Sequence, residues 1–533
     1  MQPMAQNLIV AGTIHTLDPL RPRAEAVLMK DGRIARVGSR SECAREGGGG
    51  ARILELGRGS ALPGLSDAHG HVFGLSRART EVRCTGALSA EACAVLAAEA
   101  ARSLPPGRWV RGRGWDQNLW GGAFPVAEVL DRAVPDHPVF LARADGHAAW
   151  VNRRALALSG LADWMSDPAG GRLLRDGRGR LTGVLIDAAM DPVLKALPRP
   201  GPKELEEGLL AALRELASLG LTTVHDAGVE PEVLEAYARL AEEGRLPIRV
   251  YAMLDGQATP EVLSAELARW SGRPRIGKLE VRAVKMFADG ALGSRGAALL
   301  DEYADDPGNR GLLLLDRDSL RERVARVFAA GFQPAVHAIG DRACRLVLDA
   351  FEGAGPGLRA LRPRIEHLQV LQPSDLPRLG RAGVIASMQP VHATADWPWV
   401  PARLGEGTPR LRGAYAWRSV AAAGAVLSFG SDFPVEEPDP RAGLYAAEVR
   451  RGADGRPFTP QERLGRIEAL RAFTFGVAQA GFAESRRGRL CEGFEADLTL
   501  FAEDVLGVHA EELPRLPLTH TIVGGEVVHE RRG

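Results

Sequence analysis

The chain has 533 residues, 45% of them hydrophobic and 25% charged, an ordinary globular composition with enough apolar material for one large domain and a smaller one. Lys plus Arg and Asp plus Glu both number 67, so formal net charge is zero, and neither nucleic acid nor an anionic membrane is expected as the main partner. Cys43, Cys84, Cys93, Cys344 and Cys491 show no CxxC spacing and read as buried apolar residues or surface thiols of a reducing compartment, not a disulfide framework.

The first residues, MQPMAQNLIVAGTIHTLD, show no basic start, long apolar run or small-residue cleavage site. No later stretch approaches the roughly 18 apolar residues of a membrane span, so a soluble cytoplasmic protein is expected. LIVAG, TIHTL and EAVLMK, then RIARVG across an Asp31-Gly32 turn, read as short strands, with no helix period among them. The far end repeats this style in ADLTLF (496–501) and in HTIVGGEVVHE, where Gly524-Gly525 makes the turn. Residues 1–60 and 485–533 are therefore expected to share a small β-sandwich domain.

Between them, apolar runs alternate with Ala/Leu/Arg/Glu-rich helical stretches such as PKELEEGLLAALRELASLG, the pattern of parallel strands with crossover helices. Eight runs are legible, at 60–69, 221–228, 247–254, 279–287, 332–340, 363–370, 383–390 and 425–433. That number predicts an α/β fold, a (β/α)8 TIM barrel over residues 61–484. The gap after the first run is too long for one helix, so an insertion is expected at about residues 75–205, with LLRDGRGRLTGVLI as a hairpin. The glycines at 47–50 read as a flexible turn.

His69 and His71 end the first run two residues apart, so strand alternation points both imidazoles into the barrel. A bare HxH pair is as readily two surface or capping histidines as a metal site. The remaining runs change this balance: His337 falls late in run five, His367 late in run six and Asp432 late in run eight, at the barrel end where active sites are built. Buried polar groups are costly without partners, and metal ions are economical partners. Lys285, late in run four, belongs to the same set, although its ammonium would be repelled by divalent cations; a salt-bridged lysine is its alternative reading.

PGLSDAHGH, the run-four lysine, the histidines ending runs five and six, and SFGSDFPV resemble the amidohydrolase superfamily over essentially the whole chain. KMFADGALGSRGAAL and RADGHAAWVN are similar to its YtcJ-like branch, which includes N-substituted formamide deformylases. The resemblance implies that His69 and His71 bind the more buried metal, His337 and His367 the more exposed one, that an N6-carboxylated Lys285 bridges the two, and that Asp432 ligates and acts as base. Carboxylation removes the charge conflict at Lys285. One or two divalent ions are implied, with two favoured; imidazole and carboxylate ligands suit zinc, with iron or manganese as alternatives. General metal chemistry then has hydroxide attack a polarised carbonyl, with Asp432 passing the proton to the leaving nitrogen.

Candidate substrate residues are Trp115, Asp116, Gln117 and His147 in the insertion, Asp289 and Arg295 after run four, and Gln389 and His392 after run seven. Packing of the insertion is the competing role for Trp115 and Trp120, and a mutual ion pair the competing role for Asp289 and Arg295. Asp67 shares the face of His69 and is a candidate to support the ligands. His225 reads equally as a packed, hydrogen-bonded histidine; His15, His137, His509, His520 and His529 read as structural or exposed. The expected reaction is hydrolysis of a C–N bond in a small amide-like substrate, with an N-formyl or N-acyl amine favoured by the resemblance. Alternatives are a mononuclear deaminase, against which Lys285 argues, an esterase, and a non-catalytic barrel scaffold. A homodimer is compatible with the sequence.

Overall fold

Period-two apolar runs become strands and period-3.6 runs become the helices that cover them. In the helix Pro202–Ser218, Leu205, Leu209, Leu213 and Leu216 recur at helical spacing and all are buried. Its proline sits in the first turn, where a missing N–H costs nothing. The computed structural model describes residues 7–79 and 81–531. All eight expected barrel strands are present: Leu65–Gly70, Leu221–Val229, Arg249–Asp255, Leu279–Phe287, Gln333–Ala338, Arg364–His367, Ile385–Met388 and Val426–Phe429, called strands one to eight below.

They pair in parallel in sequence order. At the mouth, the Asp432 amide donates to the His69 carbonyl and the His71 amide to the Phe433 carbonyl, each at 2.7 Å. The segment after strand eight thus returns to strand one, and the sheet is a nearly closed TIM barrel.

Strand one begins later than expected. Ser60–Pro63 belongs instead to a long strand, Arg52–Pro63, and pairs with Leu498–Phe501. Pro63 has no N–H to continue a ladder, and a Cβ at Gly64 would lie 2.2 Å from Thr222 Oγ1, so the chain changes sheets there.

The two chain ends form one continuous seven-stranded sheet, in the order Glu526–Glu530, Leu518–Val523, Leu498–Phe501, Arg52–Pro63, Leu8–His15, Arg23–Lys30, Arg33–Gly38. Val10, Val27, Ile34, Leu498, Leu500 and Ile522 share one core within it. Asp31 and Gly32 both have positive φ, 48° and 75°, as the expected tight hairpin turn requires. The helix Arg40–Gly47 was not anticipated, although its capping box of Ser39 and Glu42 is a readable S-x-x-E signal.

The insertion is a six-stranded sheet with its own core, including the expected hairpin of Gly171–Arg175 and Leu181–Asp187. All five cysteines are free, four of them buried. Among the described residues, no helix is long and apolar enough to cross a membrane.

Charged groups at the far end of the barrel bind it to the sheet of chain ends. Arg249 donates to both oxygens of Asp497, at 2.7 and 2.9 Å, and Glu495 lies 3.1 Å away. Burial alone would raise the Asp497 pKa, but the Arg249 charge and hydrogen bonds outweigh it and hold the carboxyl below its usual range. A depressed carboxylate pKa stabilises the fold above the unfolded value, about 4, and loses that contribution as pH falls through the folded value. Asp497→Ala strips a buried guanidinium of its main partner and is expected to cost about 3 kcal/mol in urea unfolding at pH 7. The difference from the unmodified protein should shrink below pH 4; a constant difference down to pH 3 would contradict this account.

Candidate metal centre at the barrel mouth

Local backbone chemistry turns the strand ends inward. A Cβ at Gly70, between His69 and His71, would lie 2.2 Å from Phe433 Cε1, so only glycine lets strand one pass this close to the segment after strand eight. A Cβ at Gly430 would meet Asp67 Oδ1 at 2.4 Å. Asp67 accepts from the amides of His69 and Ser431 and from the Ser431 hydroxyl, so it supports the site by fixing backbone on both sides of the seam.

A regular strand would send Glu366 and His367 to opposite faces. At His367 the φ of 73° breaks that alternation, and both side chains reach His69: Glu366 by a 2.5 Å hydrogen bond, His367 with ring centroids 4.9 Å apart. Asp432 is also left-handed, with φ 61°. Such conformations cost about 1–3 kcal/mol each and persist where surrounding contacts enforce them.

The six expected ligand residues converge. Asp432 Oδ1 lies 3.1 Å from His71 Nε2 and 3.6 Å from His69 Nε2, and its Oδ2 lies 4.0 Å from His367 Nδ1. Lys285 Nζ is 3.5 Å from His69 Nε2 and 4.0 Å from the centroid of the Phe287 ring. The His337 ring packs 4.5 Å from His367. Among the described residues, two trios have donor atoms within 4.8 Å of one another: His69, His71 and Asp432, and His367, His392 and Asp432. His337 is in neither trio; its Nε2 lies 3.4 Å from the Gly290 carbonyl and 3.6 Å from Asp289 Oδ1.

Three of the imidazoles are held at Nδ1, and in His69 and His71 this leaves Nε2 facing Asp432. His69 Nδ1 bonds Glu366, His71 Nδ1 the Ala227 carbonyl at 2.9 Å, and His367 Nδ1 Gln389 Oε1 at 2.9 Å. This arrangement fixes the tautomer and aims Nε2, as in histidines that hold metals. Burial lowers His69 to about 4, with the Lys285 charge acting in the same direction; burial also holds His337 and His367 well below the usual imidazole range. Neutral imidazole is the form that binds a cation. Asp432 is held well below its usual range, because the histidines around it outweigh the burial that would raise it. Burial brings Lys285 down to about 8.

Behind the cluster lies a pair that sequence reasoning missed. Arg364 and Glu366 are both fully buried, joined at 2.7 Å, and Arg364 also meets the Ala68 carbonyl, the Ser387 hydroxyl and His225 Nδ1. Opposite charges two apart in a short apolar strand were the available signal. His225 takes its packed, hydrogen-bonded alternative.

The candidate substrate residues divide. Trp115 is fully buried in the core of the insertion, its indole N–H on the Leu141 carbonyl at 2.7 Å, and Gln117 is buried beside it, accepting from Arg143 Nε at 2.7 Å; neither lines the main cavity. Asp116 and Asp145 both pair with Arg143 at 2.5 Å. Asp289 and Arg295 do not pair with each other. Asp289 accepts the amides of Ala298, Ile339 and Gly340, while Arg295 pairs with Asp305 at 3.0 Å. Gln389 acts on His367. His147 lines the cavity with its ring 5.1 Å from His337, and His392 Nε2 lies 3.8 Å from Asp432 Oδ2. Burial disfavours the charged form of His147, yet its 2.6 Å bond to Asp187 raises it to about 8.

The cluster opens into a cavity of about 590 Å³ whose wall includes His71, Lys285, His337, His367 and Asp432 from the barrel and Phe140 from the insertion. A buried parallel barrel with convergent imidazole, carboxylate and amine groups at its C-terminal end defines a class of barrel proteins with an acid–base or metal site. Within that class, the amidohydrolase family profile matches residues 55–529, and the chain belongs to that family. It is 32% identical to the Bacillus subtilis "putative amidohydrolase YtcJ" over 98% of each chain. It is 28% identical to the N-substituted formamide deformylase of Arthrobacter pascens over 100% of each. A crystal structure of an uncharacterized metal-dependent hydrolase from Pyrococcus horikoshii is similar with a TM-score of 0.77 and 28% identity, covering 95% of this chain and 99% of that one.

Proposed function

We propose that the protein is a metal-dependent hydrolase that cleaves the C–N bond of an amide-like substrate, with N-formyl and N-acyl amines as the favoured class. The observation that carries this reading is Asp432 Oδ1, a buried carboxylate oxygen that faces two imidazole nitrogens with no donor aligned for a hydrogen bond. A buried anion so placed calls for a cation. His69, His71 and Asp432 would hold one divalent ion, and His337 and His367 a second, with zinc the first choice for such ligands. The family, the deformylase relative and the metal-dependent hydrolase neighbour support the same reading.

Lys285, 3.5 Å from His69 Nε2, would join these ligands as its carbamate. At a pKa of about 8, part of it is free amine near neutral pH, and that amine can add carbon dioxide with release of one proton. A bound metal supplies Lewis acidity that polarises a carbonyl and acidifies water. Asp432, ionised and aimed into the cavity, takes the proton from the attacking water and returns it to the leaving nitrogen. Glu366 and Gln389 hold His69 and His367 in orientation. Phe140 and Phe287 help exclude water from the reacting end.

The test is hydrolysis of a panel of N-formyl and N-acyl amines by metal-replete protein, with metal content measured in parallel. Chelation is expected to remove one or two equivalents of divalent metal and all activity, with recovery when metal is restored. A folded, metal-replete protein inert toward the whole panel would rule the proposal out.

A further inference from the structure

The charges on the cavity wall are nearly all matched. Asp145 is taken by Arg143, Asp187 by His147, and Asp191 stands at the exposed rim. Outside the cluster around Asp432, Arg113 is the exception. It lies on the strand Val110–Trp115 of the insertion and lines the same cavity as His71, Lys285 and Asp432. The nearby Glu81 is already bound by two other guanidiniums, Arg111 at 2.9 Å and Arg77 at 3.4 Å. Glu437 pairs with Arg83 at 3.4 Å. Among the described residues Arg113 has no ion pair within 4.0 Å, and its buried Nη1 has no hydrogen-bond partner.

An unpaired guanidinium in a half-buried wall is costly unless a ligand completes it. The neighbouring surface, from Phe140, Met190, Leu194, Leu314, Pro434 and Val435, is apolar. We propose that Arg113 is an anion subsite that seats the carboxylate of the substrate, so that the cavity selects N-acylated amino acids with an apolar side chain. This rests on the hydrolase reading for the bond cleaved, but not for the binding. With Nη1 buried, the side of the Arg113 guanidinium that lines the cavity would offer its N–H donors to the carboxylate, while the apolar wall takes the side chain and the amide extends toward Asp432.

Two formamides that differ only in the carboxylate, N-formylphenylalanine and N-(2-phenylethyl)formamide, separate the contribution of Arg113 in the metal-replete enzyme. Arg113→Met is expected to lower the ratio of their kcat/KM values by about 10- to 100-fold, mostly through KM of the anionic substrate, as expected for a lost charge-assisted pair. Arg113→Lys should recover part of the ratio. Calorimetry with 3-phenylpropanoate, which cannot be hydrolysed, should show a matching loss of affinity in Arg113→Met, with thermal melting to check that each variant is folded. Equal ratios and equal 3-phenylpropanoate affinities in the folded variants would overturn the subsite. Arg113-dependent binding of 3-phenylpropanoate without hydrolysis of either formamide would uphold the subsite and count against the hydrolase reading.

Discussion

For the amide hydrolysis proposed above, replacing Asp432 by Asn is expected to lower kcat by about 10²- to 10⁴-fold, with little change in melting temperature. The substitution keeps the shape of a side chain whose backbone is fixed by the 2.7 Å bond from its amide to the His69 carbonyl. It removes the charge that the surrounding histidines hold ionised. An amide cannot take a proton from water at this position, and as a neutral ligand it also binds a cation less firmly. Measuring kcat together with metal content separates the two losses. A variant that keeps its metal but not its rate identifies proton transfer as the function of Asp432. Full activity with normal metal content would remove Asp432 from the mechanism.

Glu366→Leu is expected to cost about 3–5 kcal/mol in urea unfolding, among the largest effects available to a single residue here, because Arg364 is left buried with an uncompensated charge. Glu366→Gln preserves shape and one acceptor and should be milder in stability. It should still weaken metal retention by about 10- to 100-fold, since His69 loses the carboxylate that orients it and raises its basicity. Titration with a competing chelator measures this directly. If Glu366→Leu unfolds at the same urea concentration as the unmodified protein, the buried pair does not stabilise the barrel.

The residues that meet at the barrel mouth were legible for a simple reason. Barrel strands end at one rim, and imidazole or carboxylate groups at the ends of apolar runs have few reasons to be there other than a shared site. The supports were less legible, because they depend on departures from regular geometry. Strand alternation places Glu366 and His367 on opposite faces, and only the left-handed turn at His367 brings them to the same histidine. Trp115 shows the opposite error: an aromatic in a loop-rich insertion suggests recognition, but its neighbours Trp120, Phe124 and Trp150 make it core.

The sequence by itself determined the eight strands, the hairpins of both chain ends and the residues that meet at the barrel mouth, since periodicity, turn chemistry and strand direction are local properties. Tertiary structure alone decided where strand one begins, how His69 and His367 are oriented, which candidates face the cavity, and that Arg113 stands there with no ion pair within 4.0 Å among the described residues. These depend on which groups from distant segments come within bonding distance, and no local pattern records that.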